Sequence, residues 1–189
     1  MTLTRRQDGD GMKVYCFGDS NTYGYDARML LDNRYPPEYR WVDILADKTG
    51  WTMINKGFNG REIPRRGIHV PEDVDLFIVM LGTNDLLQGN SVDDVAERMA
   101  LFLTETRFPA KKTLLLSPVP MKLGAWVPDS VLVDNSQLLT VRYRQLAHAF
   151  GIRFADAGAW DVTLSYDGIH YTEEGQIAFA NGLYNYLIK

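Results

Sequence analysis

The chain has 189 residues, 46% of them hydrophobic and 23% charged, with a formal net charge of −4 at neutral pH. That profile fits a soluble globular protein, and a chain this long buries roughly 70% of its unfolded surface without needing disulfides or a structural metal. The acidic balance argues against a nucleic-acid surface. The single Cys16 excludes an intrachain disulfide or a CxxC metal or redox site, and no run approaches the roughly 20 apolar residues of a membrane span.

Residues 1–12 are polar around Arg5-Arg6, with no apolar core of a targeting signal behind them. A disordered leader is expected there, followed by a single domain over 13–189 in a reducing, cytoplasmic setting. Lys13 to Phe17 is a short apolar run closed by Gly18, the pattern of a strand buried on both faces. Trp41, Ile44, Leu45 and Lys48 recur at helical spacing, which predicts a helix over Arg40 to Thr49 with Gly50 as its stop. Trp51 to Asn55 reads as a second strand, and Asp75 to Leu81 as a third, almost wholly apolar and ended by Gly82. Ser91 and Asp94 resemble a capping box ahead of a helix whose apolar side carries Val92, Val95, Ala96, Met99, Phe102 and Leu103.

Thr113 to Leu116 is a fourth strand, closed by Ser117-Pro118-Val119-Pro120. A helix is predicted from about Asn135 to Phe150, with Gly151 ending it, and Arg153 to Asp156 gives a weak fifth strand. The last helix should begin near Thr172 and bury Ile177, Ala180, Tyr184 and Leu187. Strands alternating with helices imply right-handed crossovers and a parallel sheet covered on both faces. The expected fold is therefore α/β, a three-layer α/β/α sandwich with a five-stranded parallel sheet of the flavodoxin-like kind. The longest irregular stretches, Gly24 to Glu38 and Met121 to Asp134, are candidates for walls of a site.

In such sheets ligands bind beyond the carboxyl ends of the strands. The polar groups that stand out fall there: Ser20 after the first strand, Gly57 and Asn59 after the second, Asn84 after the third, Asp167 and His170 after the fifth. An Asp three residues before a His can hold the imidazole in one tautomer, leaving it free to take a proton from a distant serine. A Ser-His-Asp set is recognised by roles rather than by chain order, so Ser20, His170 and Asp167 are candidate catalytic residues of a serine hydrolase.

These residues resemble the four marker blocks of the SGNH hydrolases, the GDSL esterase/lipase family. The blocks are Phe17-Gly18-Asp19-Ser20-Asn21, Gly57 within Asn55 to Gly60, Gly82-Thr83-Asn84-Asp85, and Asp167-Gly168-Ile169-His170. The likeness runs over about residues 13–188. It is strongest toward the small bacterial arylesterase/acyltransferase and acetyl-xylan-esterase branch, in Gly18 to Tyr25, Arg40-Trp41, Gly57 to Arg61, Met80 to Asp85, Ser117 to Pro120 and Phe154 to Gly158. One departure is Asn21, where the family name motif has Leu; beside the nucleophile, it bears on lipid specificity more than on catalysis.

The resemblance implies the SGNH hydrolase fold and a serine esterase acting on small, chiefly acetyl, esters, with acyl transfer to alcohols as a companion activity. Ser20 would be the nucleophile, His170 the base and Asp167 its orienting partner. The backbone N–H groups of Ser20 and Gly57 and the amide of Asn84 would form the oxyanion hole. Tyr23, Tyr25, Asn59, Met121 and Trp126 are candidates for binding the substrate. Related enzymes oligomerise, which makes a homo-oligomer joined through the Met121 to Asp134 loop an expectation. A longer-acyl thioesterase or lysophospholipase on the same triad is an alternative within the family. From another class comes a non-catalytic flavodoxin-like domain holding phosphate on Ser20, Asn21 and Thr22, although no G-x-G-x-x-G or P-loop pattern is present.

The partner expected is thus a small-molecule ester, with no nucleic acid, membrane, cofactor or metal. The three histidines lack zinc spacing. His69 reads as a surface residue and His148 as a favourable charge near a helix C-terminus. Cys16 reads as a small core residue, Asp19 as a shaper of the Ser20 turn, and Arg61 as one half of a structural ion pair pinning the second loop, with contact to a polar substrate as the alternative.

Overall fold

A computed structural model of the protein describes residues 11–28 and 33–188. Its five strands are β1 (Lys13–Gly18), β2 (Thr52–Gly57), β3 (Leu76–Met80), β4 (Thr113–Ser117) and β5 (Arg153–Asp156). They form one parallel sheet in the order β2-β1-β3-β4-β5. The helices are α1 (Ser20–Tyr23), α2 (Trp41–Thr49), α3 (Thr83–Leu87), α4 (Val92–Thr106), α5 (Ser130–Phe150) and α6 (Glu173–Leu187).

Side chains alternate across a strand, so a strand apolar at every position serves two cores. Tyr15, Phe17, Phe77, Val79 and Leu115 meet Val95, Met99 and Phe102 of α4 and Leu139, Tyr143 and Ala147 of α5. The intervening Val14, Cys16, Ile78, Met80 and Leu116 face Trp41 and Leu45 of α2 and Phe179, Ala180 and Leu183 of α6. This is the expected three-layer arrangement. The strand order reverses direction between β1 and β3, and the crevice at such a switch point is the natural place for a ligand. Ser20 and Asn84 follow those two strands directly.

The strands differ from the expected bounds by a residue or two. β2 runs on to Gly57 because its ladder with β1 continues until Gly57 lies opposite Gly18. Larger differences occur in the helices. α5 begins at Ser130, since the Asp129 carboxylate accepts the N–H groups of Val131 and Leu132 at 3.0 and 3.2 Å. The irregular stretch from Met121 therefore ends at Asp129. α6 buries Gln176, Phe179, Ala180, Leu183 and Leu187, while Ile177 is left 38% exposed. α4 and α6 start as expected, capped by Ser91 and Thr172, which accept from the N–H groups of Asp94 and Gly175 at 3.1 and 3.0 Å.

Of the expected leader, residues 1–10 lie outside the described residues, as do residues 29–32 of the Gly24 to Glu38 stretch. Met12, at the end of that leader, extends the pairing of β1 with β2: its carbonyl accepts from the Thr52 N–H at 2.9 Å. Among the described residues no helix is long and apolar enough to cross a membrane. Cys16 is fully buried within β1, and burial pushes its thiol far above the reactive range. His69 is exposed in a loop and His148 lies in the last turn of α5.

Candidate active site

β1 ends at Gly18, and the chain turns at once into α1. Asp19 caps that short helix by accepting the Asn21 N–H at 3.0 Å, which makes Ser20 its first residue. The Ser20 N–H thus sits at a helix N-terminus with no helical acceptor. On the far side of the site, the Asp167 carboxylate accepts the N–H groups of Ile169 and His170 at 2.9 and 3.0 Å, folding residues 167–170 into a tight turn. Its second oxygen lies 2.6 Å from His170 Nδ1, and His170 Nε2 lies 2.9 Å from Ser20 Oγ.

A carboxylate can only accept, so the ring proton resides on Nδ1 and the Nε2 lone pair faces the serine hydroxyl. All three side chains are buried. Burial alone would raise the Asp167 carboxyl, but its hydrogen bonds from the His170 ring and from two backbone amides hold it below the usual carboxylate range. The arrangement can move a proton from Ser20 to His170 and hold the resulting imidazolium against a carboxylate that stays charged.

Two aromatic rings flank His170, Tyr25 at 4.4 Å and Trp126 at 5.3 Å between centroids. Trp126 is half exposed. Its loop is strapped along the Asp167 turn by three main-chain bonds: Lys122 N–H to Gly168, Ala125 N–H to Tyr166, and Trp126 N–H to Asp167. The structure thus brings two of the five expected substrate residues against the triad. Met121 does not join them: it is a buried core residue that also borders a separate cavity of about 370 Å³ with Lys122, Gln137, Asp161 and Thr163. Tyr23 is engaged elsewhere, its ring lying under the Arg34 guanidinium at 4.3 Å. Asn59 is half-buried in the turn after β2, with no hydrogen-bond partner for its Oδ1 among the described residues.

Asn84 lies in the first turn of α3, and one of its two amide hydrogens goes to the Arg61 carbonyl at 3.0 Å. The other remains to be donated. Gly57 requires a correction: its N–H donates to Asn55 Oδ1 at 2.9 Å, which removes it from the oxyanion donors. Gly57 is a glycine for packing, because a Cβ there would stand 2.1 Å from the Tyr23 nitrogen in α1. Three residues on, Gly60 occupies the turn closed by the Arg61 N–H to Phe58 carbonyl bond, at φ +70°. Its N–H has no partner among the described residues. Asn59-Gly60 is a turn dipeptide, and that signal could have pointed to it.

The Gly60 loop is fixed to its surroundings by polar contacts. Asp85, fully buried beside Asn84, accepts the Ile63 N–H at 3.1 Å and Arg98 at 2.8 Å. Arg61 is structural, as expected, though through carbonyls rather than an ion pair. It donates to Gly18 at 2.9 Å and to Lys56, and lies 4.3 Å over the Phe17 ring. Asp19 shapes the serine turn and is itself only 2% exposed. Burial pushes its carboxyl up to about 6 despite the Asn21 hydrogen bond and the nearby His170.

A model of the GDSL-like lipase/acylhydrolase family matches residues 16–178. No curated protein matches the chain. Among solved structures, the carbohydrate acetylesterase Est24 of Sinorhizobium meliloti superposes with a TM-score of 0.75 at 26% identity, over 93% of this chain and 98% of that one. The aryl esterase of M. smegmatis does so with a TM-score of 0.78 at 26% identity, over 94% and 98%.

Proposed function

The chain belongs to the GDSL-like lipase/acylhydrolase family and is a carboxylic ester hydrolase, from which we propose a serine esterase for small, chiefly acetyl, esters that works through an acyl-enzyme on Ser20. The observation that carries this reading is the continuous relay Ser20 Oγ–His170 Nε2, 2.9 Å, and His170 Nδ1–Asp167 Oδ2, 2.6 Å. A serine hydroxyl is a weak nucleophile until a base takes its proton. His170 takes it as Oγ attacks the ester carbonyl, and Asp167 steadies the imidazolium without itself being protonated. The tetrahedral oxyanion is met by the Ser20 N–H, the free Asn84 amide hydrogen and the Gly60 N–H, donors committed in advance to a charge that develops only at the transition state. His170 then protonates the departing alkoxide, and water repeats the sequence to release the acid.

The short-acyl preference rests on the likeness to a carbohydrate acetylesterase and an aryl esterase. Tyr25 and Trp126 offer flat apolar faces to an aryl or sugar leaving group. A bound alcohol in place of water would give acyl transfer, and association of copies through the exposed Leu123 and Trp126 would favour it by narrowing water access. The single buried cysteine accords with a cytoplasmic setting.

The test is hydrolysis of p-nitrophenyl esters from two to twelve acyl carbons by wild type and Ser20→Ala. The expected result is fastest turnover of the acetyl ester, abolished by the substitution. An optimum at long acyl chains would overturn the substrate class, and turnover surviving in Ser20→Ala would overturn the mechanism.

A further inference from the structure

Asp167 fixes the His170 ring within its own turn. Nothing in that turn fixes its distance from Ser20, which lies 150 residues earlier in the chain. The joint between the two is made by the residue after the serine. Asn21 is 4% exposed, and its side-chain amide spans the backbone on both sides of the histidine. Its Nδ2 donates to the Ile169 carbonyl at 3.2 Å, and its Oδ1 accepts the Tyr171 N–H at 3.1 Å. The backbone of Asn21 is anchored in turn. Its carbonyl accepts from Trp41 Nε1 at 3.0 Å and from Gln176 Nε2 at 3.5 Å, while Gln176 Oε1 accepts the Trp41 N–H at 3.0 Å. Trp41 and Gln176 are both fully buried and lie on α2 and α6.

We infer that Asn21 is a positioning residue for catalysis: its amide clamps the histidine turn to the nucleophile helix and so sets the Ser20–His170 approach. The inference rests on the reading of Ser20 and His170 as nucleophile and base. It moves Asn21 from lipid specificity, where the family comparison put it, to the assembly of the triad. The two hydrogen bonds flank the base itself, so losing them frees the 169–171 backbone to shift against Ser20. A leucine at this position could form neither bond. Misplacement of a reacting pair by about 1 Å costs about 10²-fold in rate.

The experiment compares wild type, Ser20→Ala, Asn21→Ala and Asn21→Asp on p-nitrophenyl acetate, well below each thermal midpoint and with folding checked by circular dichroism. A second readout is the rate constant for phosphonylation of Ser20 by a fluorophosphonate. Asn21→Ala is expected to lower kcat about 10²-fold with KM within about two-fold, and to slow phosphonylation in parallel. Asn21→Asp preserves shape and the acceptor for Tyr171 but loses the donor to Ile169; it keeps the proposal testable if the alanine variant does not fold, and should lose at least about ten-fold in kcat. Variants that melt earlier yet keep kcat within two-fold would reduce Asn21 to a stabilising residue and overturn the inference. So would a rise in KM at constant kcat, which would mark a substrate contact. Undiminished hydrolysis by Ser20→Ala would instead overturn the serine reading on which the inference stands.

Discussion

Replacing Asp19 by Asn should stabilise the protein at neutral pH and slow its chemistry. The carboxyl is buried behind the nucleophile, and its ordinary value of 3.8 is raised to about 6. A raised native value means that the folded state binds the proton more tightly than the unfolded one. Stability from this group is therefore full below about pH 4 and declines as pH rises toward 6, then stays level. The difference of about two units corresponds to about 3 kcal/mol at pH 7. The amide that replaces the carboxylate would keep an oxygen to accept the Asn21 N–H, so the cap survives the change. Urea unfolding of both proteins from pH 3 to 8 reads the effect as a difference, in which the other titrating groups cancel. Asp19→Asn should gain up to about 3 kcal/mol at pH 7 and almost nothing at pH 3. A variant less stable than wild type at pH 7, or a difference independent of pH, would refute the reasoning. The carboxylate lies near enough to His170 to attract the imidazolium that forms as Ser20 is deprotonated, so removing its charge should lower kcat by about ten-fold as the stability rises.

Two further substitutions test the oxyanion side of the site. Asn84→Ala removes the one side-chain donor and should lower kcat by about 10²–10³-fold on an acetyl ester, with KM little changed; a loss confined to KM would place Asn84 in ground-state binding. Arg98→Met leaves the fully buried Asp85 without its cation and should cost about 3 kcal/mol in denaturant unfolding, with the loss shrinking as pH falls and Asp85 is protonated. Burial already raises that carboxyl, so protonation begins above the ordinary carboxylate range and the recovery should appear early in an acid titration.

The features legible in the sequence were those written in short-range pattern. β1, β3 and β4 were plain because a largely apolar strand has to be covered on both faces, and three such segments with two weaker ones, separated by helical spacing, admit few topologies. Asp167 and His170 were plain because three residues of separation bring the groups together within one turn. α6 shows how a pattern can mislead. Residues 177-180-184-187 and 176-180-183-187 are both helical stripes, and the apolar Ile177 favours the first. The second is buried, because Gln176 is satisfied by Trp41 from another helix, a partner that no local reading supplies. Gly57 and Gly60 pose the same problem at the site. Gly57 ends the edge strand β2 and Gly60 follows three residues later, so either amide could serve an oxyanion. What separates them is that Asn55 reaches forward to one, while the other sits at positive φ in a turn that Arg61 closes. Asn21 is the furthest case: its amide serves residues 148 and 150 positions away, so sequence reveals only the departure from a motif and not the two bonds that explain it.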